Sequence, residues 1–249
     1  MRAQFRRLLT NGPLLTAVVV TTTLGFHALY VLPQTRRLAQ WLMQEDLVVE
    51  DITFVALFAA SVLSVLLARR THRDRQSALA TWFFVALAAG LFVVAMEEIS
   101  WGQWLFFFKT PGSWKAINRQ GETNLHNLDG LWGRSEWMRL VFALGGLVGV
   151  LANRWHRLRP IATPSSMLGW FVVITLYVAV DAINDFVRGS WLLSTFNPMS
   201  EWVEMLIGLS ALAYVFLKRD EFRRVPASVP APATLDARPE YRGLADRDA

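Results

Sequence analysis

Blocks of about 20 apolar residues recur along this 249-residue chain, and they constrain its fold more than any other feature. A helix needs about 20 apolar residues to cross the roughly 30 Å hydrocarbon core of a bilayer. Six blocks meet or approach that length: 14–32, 47–68, 78–96, 139–152, 167–187 and 202–217. The sequence therefore predicts an all-α polytopic membrane helix bundle with six transmembrane helices, and the lipid bilayer is its first expected partner.

The number of basic residues differs between the two sides of this predicted bundle. Short segments on one side carry 14 Lys and Arg residues, whereas longer connections on the other side carry eight. Cytoplasmic loops of membrane proteins are enriched in Lys and Arg, so both termini are predicted to be cytoplasmic. The predicted domains are a basic cytoplasmic N-terminus at 1–13, a six-helix transmembrane domain at 14–217, and a disordered, Pro-rich cytoplasmic tail at 218–249.

The composition excludes several kinds of site. The chain has no Cys, which excludes disulfides, thiolate metal sites and cysteine nucleophiles. Two histidines, His27 and His126, lie on the predicted outer side, so no three-histidine zinc site is expected, and no haem or nucleotide site either. The net charge of +5 arises from loops between apolar blocks rather than from one soluble basic face. No nucleic-acid partner is therefore expected.

Four acidic residues lie where a membrane helix accommodates them poorly. Glu97, Glu98, Asp181 and Asp185 are near the C-terminal ends of predicted spans, where the helix dipole disfavours negative charge and membrane depth adds to the cost. A proton, a cation, a metal or a hydrogen-bond network must compensate them. The spacing of Asp181, Asn184 and Asp185 puts them on one helical face. That face is predicted either to be functional or to form a polar contact between helices.

The third apolar block continues past its acidic residues as far as Phe108. A helix over 78–108 would be about 46 Å long, which exceeds the bilayer core. We therefore expect a break near 100–102, with 103–108 turning along the membrane interface. Adjacent helical residues point about 100° apart. One of Glu97 and Glu98 is thus expected to face the bundle while the other orients it or faces water, the alternative being an interfacial charged collar.

A second polar stretch follows at 118–132, where apolar residues recur at helical spacing. The pattern predicts a short amphipathic helix at the membrane interface, within the outer segment 97–137. His126, in this stretch, is the best candidate for proton transfer near pH 7. The predicted catalytic residues are Glu97, Glu98, His126, Asp181 and Asp185. The residues predicted to bind substrate are Gln103, Glu122, Asn124, Asn127 and Asn184.

Two motifs carry a resemblance to known families. The stretches E-E-I-S-W-G-Q at 97–103 and Q-G-E-T-N-L-H-N at 120–127 resemble an uncharacterised group of bacterial polytopic membrane proteins that pair E-E-x-S-W-G-Q with Q-x-E-x-N-L-H-N. This resemblance implies a multi-pass protein of the bacterial inner membrane and implies no activity. Glu97 and Glu98 also match the E-E of the E-E-x-x-x-R motif of diglutamate (CAAX-type) intramembrane proteases, whose Arg position is Gly102 here.

Three functions are compatible with this pattern. The first is a hydrolase or transferase that acts on a lipid or lipid-linked substrate at the outer leaflet. Its acid–base chemistry would be metal-free or would use a divalent cation such as Mg²⁺ or Mn²⁺. The second is a non-catalytic accessory or structural subunit whose polar cluster locks the bundle. The third is a small proton-coupled transporter that uses the same carboxylates as a relay.

Overall fold

The structure is a computed structural model, and it describes residues 2–42, 48–118, 120–125, 127–128, 135–186 and 199–224. Within these ranges the secondary structure is helical, apart from turns and one isolated antiparallel bridge between Asn118 and Leu128. The α-helices are α1 (Arg2–Thr10), α2 (Gly12–Val31), α3 (Arg36–Leu42), α4 (Val48–Arg73), α5 (Ala78–Glu98), α6 (Gln103–Phe106), α7 (Gly112–Lys115), α8 (Ser135–Leu151), α9 (Leu168–Phe186) and α10 (Ser200–Arg224).

Four of the described helices, α2, α4, α5 and α10, are long and apolar enough to cross a membrane. The predicted helical fold with apolar helices of membrane-spanning length is therefore confirmed for the described residues. The other two predicted spans correspond to α8 and α9. The segment Ser165–Asp181, which holds most of α9, is a shorter apolar helix, so the number of six spans stays a prediction.

Helix α4 is central to the bundle and packs against both α5 and α10. Small residues allow this close approach, because a methyl group on Gly208 of α10 would lie 3.2 Å from the Thr53 carbonyl of α4. The Ser61 hydroxyl of α4 also donates a 2.8 Å hydrogen bond to the Ala88 carbonyl of α5. Helices α8 and α9 pack as a second pair, and α9 in turn contacts α2 and α10.

The helices run up and down, so that charge separates to two ends of the bundle. At one end, the basic end, α4 turns into α5 and the buried Lys218 ammonium donates to the Arg159 carbonyl at 3.0 Å. At the other end, the acidic end, α5 stops and both α4 and α10 begin. Described acidic residues at this end include Glu50, Asp51, Glu97, Glu98, Glu122, Asp181, Glu201 and Glu204.

The predicted break after α5 is confirmed. Helix α5 ends at Glu98. After Ile99, the three residues Ser100, Trp101 and Gly102 have φ values of 45°, 56° and 78°. These values belong to the left-handed region, which a continuing α-helix cannot contain. The chain therefore changes direction here before the single-turn helix α6.

The amphipathic helix predicted within 118–132 is wrong for the part of this stretch that the structure describes. Residues 120–125 and 127–128 form bends and turns instead of helical turns. The physical reason is that asparagine side chains form hydrogen bonds with the backbone groups that a helix would need. His126, together with 129–134 and 225–249, lies outside the described residues, as do the side chains of Asn184 and Asp185.

Candidate functional site

The loop 118–128 folds back onto the end of α5, and Glu97 holds it there. The Glu97 carboxylate is buried, with 7% of the residue exposed, and it accepts hydrogen bonds from two donors. One donor is the Trp101 indole Nε1 at 2.5 Å, and the other is the backbone N–H of Leu125. Hydrogen bonds to a carboxylate compensate its burial, so this acid has a structural partner at each oxygen.

A second set of contacts joins the same two segments through Ser100, Glu122 and Asn124. The Ser100 hydroxyl donates to Glu122 Oε2 at 2.5 Å. The Asn124 amide, in a residue only 1% exposed, donates both to Ser100 Oγ at 3.0 Å and to Glu122 Oε2 at 2.9 Å. The helix-breaking turn and the loop are thus joined by side chains from both motifs.

Asn118 fixes the shape of this loop. Its amide nitrogen donates to the carbonyl and to the side-chain oxygen of Asn124, both at 2.9 Å. Its own side-chain oxygen accepts from the backbone N–H groups of Gln120 at 3.0 Å and Glu122 at 3.1 Å. Because these bonds satisfy backbone and side-chain groups locally, the loop is stable without helical hydrogen bonds.

Gln103 supplies the third connection between the motifs. Its side-chain oxygen accepts from the Thr123 N–H at 3.0 Å and from the Thr110 hydroxyl at 3.2 Å. Asn127 donates to the side chain of Gln120 at the edge of the loop. We call the hydrogen-bonded set the motif network; its members are Glu97, Ser100, Gln103, Asn118, Glu122, Thr123 and Asn124.

Glu98 is not a member of the motif network, and its carboxylate lies near other carboxylates. The carboxylates of Glu50, Glu97, Glu201 and Glu204 are close enough to interact electrostatically with it. They come from α4, α5 and α10, so three helix ends direct acidic side chains to one place. Glu98 is half-buried, and within the described ranges no hydrogen-bond donor or cation engages its carboxylate. We call Glu50, Glu98, Glu201 and Glu204 the carboxylate cluster.

Arg139 connects the carboxylate cluster to α9. It is 6% exposed, near the start of α8, and its Nη2 lies 3.9 Å from Asp181 Oδ2. Its Nε lies 3.8 Å from Glu204 Oε1 on α10. The charge pattern of the sequence did not reveal this role, because Arg139 counts there only as one of the eight basic residues on the predicted outer side. The usable signal was a cation at the edge of one apolar block, opposite an acid in another.

Asp181 has a further neighbour on its own helix, the phenol of Tyr177, with which it interacts electrostatically. The Tyr177 hydroxyl lies 3.4 Å from His27 Nδ1 on α2. Beside them, Phe26 of α2 stacks on Trp202 of α10, with ring centroids 4.3 Å apart. These contacts bring α2 to the same end of the bundle as Arg139.

The structure thus sorts the predicted site residues into two groups. The motif network contains Glu97, Gln103, Glu122 and Asn124, and Asn127 borders it through Gln120. The second group links Glu98 to Asp181 through Glu204 and Arg139. Among the residues that the structure describes, no three His, Asp or Glu side chains are arranged to hold a metal ion.

Comparison of the chain with protein-family models, with curated proteins and with solved structures gives no match in any of the three. The resemblances carried by the two motifs therefore stay predictions.

Proposed function

We propose that this protein is a membrane-embedded hydrolase or transferase that acts on a lipid or lipid-linked substrate, with Glu98 as its proton-transfer group. The observation that carries the proposal is the contrast between two adjacent acids. Glu97 is bonded to the loop, whereas Glu98 is half-buried among carboxylates of three helices and is left to interact with a substrate. A positioned carboxyl group of this kind is what general acid–base catalysis requires.

The surface beside the site supports a lipid substrate. Beginning two residues after Gln103, the chain presents four consecutive exposed apolar side chains, Leu105 to Phe108, of which Phe107 is 88% exposed. A water-facing loop rarely carries such a patch, whereas a segment that dips into a leaflet needs one. In this proposal α6 and its following residues insert into the outer leaflet, and they bring the headgroup region to the level of Glu98.

The proposed topology is a six-span protein of a bacterial inner membrane with both termini in the cytoplasm. Helices α8 and α9 have 17 and 19 residues, which correspond to about 26 and 28 Å and approach the thickness of a bilayer core. They pack against each other, and the contacts of Gly146 with Phe171 and of Arg139 with Asp181 are those of an antiparallel pair. The basic end is placed inside because cytoplasmic loops favour Lys and Arg, and the acidic end then faces outward.

A non-catalytic accessory role is the second candidate, and one observation favours it. The polar side chains of the motif network engage each other and the backbone, as in a structural lock between a loop and a helix end. This observation applies to Glu97 and its partners. It does not extend to Glu98, so the two candidates make different predictions for adjacent residues.

The experiment compares lipid and glycolipid profiles of a deletion strain complemented with wild type, Glu98→Gln or Glu97→Gln. We expect the deletion strain to accumulate or lose a lipid species, and Glu98→Gln to give the same profile at wild-type protein level. Glu97→Gln is the matched control, since it is expected to lower the amount of folded protein instead. A deletion strain with an unaltered profile, or full complementation by Glu98→Gln, would contradict the proposal and favour the accessory role.

A further inference from the structure

An apolar groove of about 1160 Å³ lies between α4 and α5, and its lining residues belong to these two helices and to the turn that joins them. Its walls include Val62 and Val65 of α4 and Trp82 and Val85 of α5, all of which are exposed, Trp82 by 70%. It extends along α4 from Phe58 to the basic end, over about 21 Å. Half a bilayer core is about 15 Å, so the groove is long enough for the acyl chain of one leaflet.

Basic side chains stand at one mouth of this groove. Arg69 near the end of α4 and Arg75 in the turn before α5 line it, together with His72. Neither Arg69 nor Arg75 forms an ion pair within the described residues. Their neighbour Asp74 is engaged elsewhere, 3.3 Å from Arg70 and 3.0 Å from Arg73.

The two parts of the groove indicate the chemistry of its occupant. The walls are in two helices that cross the membrane, so they require hydrocarbon. The mouth presents two guanidinium groups that have no anionic partner in the part of the chain that the structure describes, and Arg binds phosphate through paired N–H donors. A molecule with an acyl chain and an anionic phosphate satisfies both parts, and a neutral lipid satisfies only one.

We infer that the groove between α4 and α5 binds one anionic phospholipid, whose acyl chain lies along Val62, Val65 and Trp82. Arg69 and Arg75 hold its phosphate. Basic pockets between membrane helices on the cytoplasmic side are suited to anionic headgroups. This site is at the end of the bundle opposite Glu98, so it stands independently of the proposed enzymatic function.

The test reconstitutes the full-length protein in nanodiscs of equimolar phosphatidylglycerol and phosphatidylcholine, and native mass spectrometry then counts the lipids retained. Wild type is expected to retain one phosphatidylglycerol per chain. The double variant Arg69→Gln with Arg75→Gln is expected to retain it about thirtyfold more weakly, because two basic residues near an anionic headgroup are lost. The matched control is Arg154→Gln with Arg157→Gln, which removes the same charge from exposed sites of the basic end outside the groove and should retain the lipid.

Two further arms keep the test decisive. If the double variant does not fold, Val65→Trp keeps both guanidinium groups and fills the groove, and it should weaken retention about tenfold. Addition of soluble glycerophosphate should not displace the lipid, because it lacks the acyl chain. Equal retention of the two lipids by wild type would overturn the inference. The inference would also be overturned by an equal loss of lipid in the control pair or by full displacement of the lipid by glycerophosphate. A stable dimer that buries the groove and retains no lipid would overturn it as well.

Discussion

At the scale of single residues, Glu97 and Glu98 differ in what surrounds their carboxylates. Glu97 faces two hydrogen-bond donors, and Glu98 faces the carboxylates of α4 and α10. The sequence predicted such a division, because adjacent residues of a helix point in different directions. It did not predict which of the two would bind the loop, since that depends on where Leu125 and Trp101 lie after the chain turns.

The change Glu97→Gln tests this division through stability. An amide has one oxygen and one NH₂ group, so either Trp101 Nε1 or the Leu125 N–H loses its acceptor and faces another donor. A buried donor without an acceptor costs about 1–3 kcal/mol, and we expect the free energy of unfolding to fall by that amount. Thermal unfolding of the purified protein in detergent measures it, with Glu98→Gln as the control. Equal stability of wild type and Glu97→Gln would contradict the assignment.

At the scale of helices and loops, an element could be predicted where its sequence pattern has a single physical cause, and could not where the same pattern has several. The break at 100–102 was predictable because a helix of that length cannot fit the bilayer. The loop 118–128 was not, because leucines at helical spacing also occur where asparagines such as Asn118 and Asn124 satisfy the backbone. Arg139 was missed because a count of loop charges ignores which helix end a charge faces.

The close packing of α8 against α9 can be tested with two adjacent glycines, one of which serves as the control. A methyl group added to Gly146 would lie 2.1 Å from the Phe171 ring, whereas one on adjacent Gly145 would meet open space. Gly146→Ala should therefore destabilise the protein by about 1–3 kcal/mol through overpacking. Gly145→Ala should be neutral or stabilise it slightly, because alanine is the better helix former. Thermal unfolding of both variants checks this, and an indistinguishable pair would show that α8 and α9 do not pack as described.

The contact of Arg139 with α9 and α10 gives a second test at this scale. Arg139→Gln leaves Asp181 and Glu204 without the guanidinium that they share, and removal of one partner of a buried ion pair costs about 3 kcal/mol. Addition of Asp181→Asn should restore part of the loss, because it removes one of the two carboxylates. Thermal unfolding of the single and double variants measures this coupling. Purely additive losses would contradict it.

At the scale of the whole molecule, the orientation of the bundle can be tested cleanly because the chain has no natural Cys. Lys115→Cys places a thiol in α7 near the acidic end, and Arg157→Cys places one at the basic end; both positions are exposed. A membrane-impermeant maleimide should label the first variant in intact cells and the second only after the membrane is permeabilised. The reverse pattern of labelling would place the acidic end in the cytoplasm.

Separation of charge into two ends gives the molecule two independent surfaces. The basic end carries the groove with Arg69 and Arg75, and the acidic end carries the carboxylate cluster beside the apolar segment 105–108. The distribution of charge along the sequence predicted this separation. The assembly of the cluster from three helix ends was not predictable, because it depends on which helices become neighbours.

The most direct measurement of the central claim is the lipid profile of the deletion strain carrying Glu98→Gln, normalised to the amount of folded protein in its membranes. We expect the profile of the deletion strain together with an unfolding temperature no lower than that of wild type, because the carboxyl group is needed for chemistry and its loss also removes repulsion within the carboxylate cluster. A wild-type lipid profile at the same protein level would contradict it.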